Sequence, residues 1–122
     1  MAVTITPLGI GGNALRIIRD ADIDETVEKN VNDGAATVYG VTADNSANGA
    51  TSYLKFYNDA NPTVGTTDPD LVLMVPASAT RSYIFKGGIN LATSLSIAAV
   101  TTAGTAGTTG PTSALVANIV VG

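Results

Sequence analysis

Short apolar runs rich in β-branched residues recur along this chain, and glycine, proline or clustered Asn and Asp soon interrupt each one. This rhythm constrains the fold more than any other feature, because short strands separated by turn chemistry pack as a sandwich or a barrel. Residues 3–6 (VTIT) stop at Pro7, a glycine-rich stretch follows, and 15–20 (LRIIRD) form a second run. In residues 21–31 (ADIDETVEKNV), Ile23, Val27 and Val31 stand at helical spacing and the leading aspartates suit a helix N-terminus. Thr26, Val27 and Val31 are poor helix formers, so an acidic loop or an extended strand is favoured there. After the turn signal at 32–34 (NDG), residues 36–43 read as a strand, and 44–50 (DNSANGA) read as a polar loop.

The run 52–58 (SYLKFYN) alternates, which assigns Leu54 and Phe56 to the core and Tyr53, Lys55 and Tyr57 to the other face. With 36–43 it reads as an antiparallel hairpin. A long loop punctuated by Pro62 and Pro69 leads to 71–75 (LVLMV), whose following Pro76 marks a strand end or a sheet edge. Residues 82–86 (SYIFK) form a further strand ended by Gly87 and Gly88, and Leu95, Ile97 and Ala99 alternate within 91–101. Residues 101–112 are low in complexity and too poor in apolar bulk to pack by themselves, which predicts a flexible Gly/Thr loop. The run 114–121 (ALVANIVV) is the last strand. The expected fold is a single all-β domain over 1–122, an antiparallel β-sandwich of seven or eight strands with Greek-key or jelly-roll wiring, with 1–14 as an extended N-terminal arm.

Cysteine and histidine are both absent from the 122 residues. Disulfides, thiolate metal sites and a Cys nucleophile are excluded, as are the usual general base near neutral pH and the commonest metal ligand. The abundant Ser and Thr have no imidazole to activate them, and nothing marks Lys55 or Lys86 as a substitute base. The expectation is therefore a protein without catalytic residues, cofactor or metal. The glycine-rich stretch 9–13 (GIGGN) lacks the Gly-Lys-Ser/Thr ending of a phosphate loop and has no βαβ setting, so it reads as a connector. Two oxygen-rich loops, with Asp20, Asp22, Asp24 and Glu25 in one and Asn58, Asp59, Asn61, Asp68 and Asp70 in the other, carry the ligand type that calcium takes. Asx residues in loops usually bond their own backbone, and the turn reading is favoured for both.

Charged residues make up 13% of the chain, with six basic against ten acidic side chains and a formal charge of −4. Typical proteins carry about 25% charged residues. Such a surface is covered either by Thr, Ser, Asn and Gly or by other protein. The scattered Arg and Lys argue against nucleic acid as a partner. No stretch approaches the ~18 apolar residues of a membrane span, and the first residues lack the pattern of a signal peptide, which predicts synthesis in the cytoplasm. Tyr53, Lys55 and Tyr57 along one strand, with Arg81, Tyr83 and Lys86 on another, set aromatics beside cations and are the candidate interface residues.

Several stretches of the last 70 or so residues resemble small virion proteins of tailed bacteriophages, including those of cyanobacteria. They are YLKFYN at 53–58, NPTVGTTDP at 61–69, the apolar strand ending at Pro76, FKGGI at 85–89, and LSIAAVT at 95–101 before the Gly/Thr loop. The resemblance implies a β-sandwich present in many copies on the capsid exterior, acting as a cement or decoration protein at junctions between major capsid subunits. The implied partners are the major capsid protein and further copies of the chain as a dimer or trimer, and no catalytic residues are carried over. The alternative is a receptor- or glycan-binding module of a phage tail or adhesin, which needs an exposed aromatic platform or a metal-supported loop.

Overall fold

In the computed structural model, which describes residues 3–7 and 15–122, eight strands follow one another. They are β1 (Val3–Pro7), β2 (Arg16–Ile23), β3 (Ala36–Asp44), β4 (Ser52–Tyr57), β5 (Leu71–Val75), β6 (Thr80–Leu91), β7 (Ser96–Val100) and β8 (Leu115–Val121). Every pairing is antiparallel. A five-stranded sheet runs β1-β2-β8-β3-β6, and a three-stranded sheet runs β5-β4-β7. The fold is an all-β sandwich, as the strand rhythm predicts. The chain passes between sheets at four connections, β3 to β4, β5 to β6, β6 to β7 and β7 to β8, and β8 inserts between β2 and β3. Wiring that separates sequential neighbours in this way has the Greek-key character anticipated.

Alternation explains which faces meet. In β8, Leu115, Ala117, Ile119 and Val121 are fully buried, while Val116, Asn118 and Val120 between them face the other side. Ile18 of β2 and Val38, Val41 and Ala43 of β3 join them, opposite Leu54 and Phe56 of β4, Leu73 and Val75 of β5 and Ile97 and Ala99 of β7. Burying a Leu, Ile or Phe side chain contributes about 1.5–3 kcal/mol, so this two-sided core is the main source of stability. The assignment of Leu54 and Phe56 to the core holds.

Two expectations need correction. The runs 36–43 and 52–58 do not form a hairpin: β3 pairs with β6 and β8, while β4 pairs with β5 and β7 in the opposite sheet. The connection between them crosses the sandwich because Asn45 and Asn48 anchor it to distant backbone instead of closing a tight turn. The Asn45 amide nitrogen lies 3.0 Å from the carbonyl of Ala50, 3.1 Å from that of Val75 and 3.0 Å from that of Pro76. The strand at 82–86 also does not end at the glycines. It continues to Leu91 through a bulge, in which residues 85–88 of β6 lie opposite Tyr39 alone on β3. Gly88 has a φ of +80°, and a side chain there would meet Thr37 and the Tyr39 ring, so the bulge needs glycine at this point.

The segment 21–31 contains no helix. β2 ends at Ile23, and residues 24–31 run along β7, held by Ala99 N–H to the Asp24 carbonyl (2.8 Å), Glu28 and Ile97 bonding mutually (2.8 and 2.9 Å) and Val31 N–H to the Leu95 carbonyl (2.8 Å). Of the arm expected over 1–14, residues 3–7 form β1 against β2. The remainder, including the glycine-rich stretch 9–13, lies outside the described residues.

Candidate interaction surface

The outward face of the three-stranded sheet carries Tyr53, Lys55 and Tyr57, but it is not free. Lys55 and Tyr57 are 0% and 1% exposed, so the expectation that both serve as surface anchors is corrected. The Gly/Thr segment 101–112 is laid against this sheet. Lys55 Nζ donates to the Gly104 carbonyl at 2.6 Å, and Thr105 Oγ1 donates to Asp68 Oδ1 at 2.6 Å. Gly65 admits Thr108 at a distance no side chain would allow. Tyr53 stays half-buried, with Met74 of β5 and Val100 of β7 as its cross-strand neighbours.

Burial lowers the Lys55 pKa below its ordinary value of 10.5 and raises that of the Tyr57 phenol, whose hydroxyl has no partner among the described residues. A depressed lysine contributes stability that is present at high pH and lost as pH falls through the folded-state value. K55M is therefore expected to raise the unfolding free energy at pH 7 by about 1–2 kcal/mol, since it removes a buried cation with one hydrogen bond. The freed Gly104 carbonyl lies on an exposed residue and can bond water. Urea unfolding of both proteins from pH 7 to pH 10.5 checks this: the difference should narrow as pH rises, and a K55M protein less stable than the parent at pH 7 contradicts it.

Arg81 and Lys86 are exposed on β6, and Tyr83 beside them is half-buried against the core. The Tyr83 hydroxyl donates to the Met74 carbonyl, so this side chain ties the edge of one sheet to the edge of the other. The structure thus brings Tyr83 and Tyr53 together on either side of Met74, leaves Arg81 and Lys86 at the β6 edge, and withdraws Lys55 and Tyr57. It also adds residues the sequence reading missed. Ile84 is 87% exposed, the most exposed large apolar side chain described, and Met74 is 42% exposed. Alternation does carry a signal for Ile84: with Tyr83 and Phe85 packed inward, the residue between them must face out.

The pairing register places Ile84 at the end of a row across the outer face of the larger sheet. The row runs Thr6, Ile17, Val120, Gly40, Ile84 over all five strands. The neighbouring row is polar: Thr4, Arg19, Asn118, Thr42, Ser82, with the Thr42 and Ser82 hydroxyls 3.0 Å apart. An apolar row bordered by hydroxyls and ending in an exposed isoleucine has the composition of a contact surface.

The acidic loops bond their own backbone, as Asx turns do. Asp20 Oδ1 accepts from Asp22 N–H (3.0 Å), Asp24 Oδ1 from Thr26 N–H (2.8 Å), Asp59 Oδ1 from Asn61 N–H (2.7 Å) and Asp70 Oδ2 from Asn58 N–H (2.6 Å). Among the described residues no group of three or more carboxylates is arranged to hold a metal ion, and no described helix is long and apolar enough to cross a membrane. No protein-family model, curated protein or solved structure matches this chain.

Proposed function

We propose that this chain is a structural assembly protein, a cement or decoration component on the capsid exterior of a tailed phage, docked on the major capsid protein through the outer face of its larger sheet at β6. The observation that carries the reading is the exposed Ile84, with exposed Lys86 two residues on, at the end of an apolar cross-strand row. A β-body with few charges loses little by desolvation when it docks, and a central aliphatic anchor with a cationic rim suits a modest contact repeated many times. The resemblance of the stretches at 53–58, 61–69, 85–89 and 95–101 to phage virion proteins is what suggests the setting.

The reading is checked by adding the purified chain to capsids that lack it. Saturable binding at a fixed copy number per capsid, together with a higher temperature of capsid disruption, is expected. I84D should weaken binding at least tenfold while leaving the fold intact, because the side chain it replaces is almost wholly exposed. A chain that ignores capsids and selects one sugar on a glycan array supports the receptor-binding alternative and sinks this proposal.

A further inference from the structure

The two sheets present four edges, and three are closed or blunted. β7 is covered by residues 24–31. β5 has five residues, is followed by Pro76, and has its Met74 and Val75 carbonyls bonded by Tyr83 and Asn45. β1 is five residues long and ends in Pro7. The twelve-residue β6 is different: its outer edge has no pairing partner among the described residues. An unpaired edge of this length is a template for another strand.

We propose that β6 pairs with β6 of a second copy, antiparallel about a twofold axis through Ile84, so that the two five-stranded sheets join into one. This goes beyond that reading: the capsid is met by the outer face at Ile84, and the free β6 edge takes a second copy. In this register residue i faces residue 168 − i of the other copy. Ile84 meets Ile84, Tyr83 meets Phe85, Ser82 meets Lys86 and Arg81 meets Gly87. No two like charges stand directly opposite, and aromatics face each other on the inner side, which is the favourable cross-strand arrangement. The bulge at 85–88 bends the strand beyond Lys86, which limits the ladder to residues 82–86. Both free edges are consumed in the pair, so it closes at two. Five paired residues cover far less than the roughly 1,200 Å² of a stable interface, so the dimer is weak and concentration-dependent.

A chain without cysteine makes the register directly readable. Under mild oxidation in solution, I84C should form a cross-linked dimer, since directly opposed antiparallel residues lie about 4.5–5.5 Å apart and within disulfide reach. R81C should link at least tenfold more slowly, because the two copies of position 81 stand six residues apart along the pair, about 20 Å. S82C mixed with K86C should link, while neither should alone. Sedimentation of the parent chain should show a mass rising toward the dimer, and I84K should remain monomeric with an unchanged melting temperature. Equal linking of I84C and R81C, or a parent chain monomeric at millimolar concentration, overturns the proposal, as does linking of I84C to a capsid subunit but not to itself. A chain that binds capsids without dimerising removes only this inference. One that dimerises and ignores capsids removes only the capsid reading.

Discussion

N45D is expected to cost this domain about 3–5 kcal/mol, a large share of the 5–15 kcal/mol that holds a typical domain folded. Asn45 is 1% exposed and sits where three connections meet. Its amide nitrogen faces the carbonyls of Ala50, Val75 and Pro76, while its Oδ1 accepts from Asn48 Nδ2 (2.8 Å) and Ser52 Oγ (3.2 Å). Asn48 extends the node: Nδ2 donates to the Ser113 carbonyl (2.8 Å), and Oδ1 accepts from Ser113 N–H (2.7 Å). Only an amide satisfies both sides. A carboxylate keeps the acceptor oxygen but turns a negative oxygen toward three carbonyls, and leaving buried acceptors unpaired costs about 1–3 kcal/mol each before the charge is counted. Protonation restores one donor, so the deficit should shrink toward pH 4. Urea denaturation of N45D and the parent at pH 7 and pH 4 measures both features. A loss below 1 kcal/mol at pH 7 would show that the node is not what fixes the crossing between sheets.

D20N acts in the opposite direction. Asp20 is fully buried, its Oδ2 has no partner among the described residues, and Asp22 and Asp24 stand close by. Desolvation first, then those like charges, hold its pKa above 3.8 despite the bond from Asp22 N–H. Glu28 is likewise raised above 4.5, by desolvation and then by Asp20. A carboxyl raised in the folded state contributes stability that is complete below its unfolded pKa and lost as pH rises through the folded one. As pH rises toward neutrality that contribution falls away, because ionising Asp20 leaves a charge in a buried site. D20N keeps the oxygen that accepts from Asp22 and replaces the charge with a neutral amide, so it should stabilise the domain at pH 7 by about 1–3 kcal/mol. The advantage should fade as pH is lowered toward 4. Asp44 works the other way, since bonds from Ser46 and Thr80 lower its pKa, and it loses stability as pH falls. The comparison must therefore be mutant against parent at each pH. A D20N protein less stable than the parent at pH 7 would mean that the carboxylate has a partner or a role that its surroundings do not reveal.

How far the candidate surface was legible follows from what alternation can say. Period two told which residues share one face of their own strand: Leu54 and Phe56 together, Lys55 with the tyrosines. It could not tell whether the outer face was covered. Lys55 is buried because residues 101–112, reached across three intervening strands, fold back over β4. Arg81 and Lys86 were singled out as cations beside aromatics, and both are exposed on β6. Ile84 was missed although the same alternation places it outside, because its exposure marks a contact only once β6 is known to be an edge.

The amino-acid sequence by itself determined the strands and the turns, since both arise from residues within a few positions of one another: β-branched runs, Pro76 closing β5, Asx turns at Asp24 and Asp59. Tertiary structure alone decided which strands pair, which edge stays open, and which polar groups are buried. Those outcomes depend on contacts between residues far apart in the chain, such as Asn45 with Pro76 or Glu28 with Ile97. Their free energy exists only after the two sheets have closed on each other, so no local pattern records it.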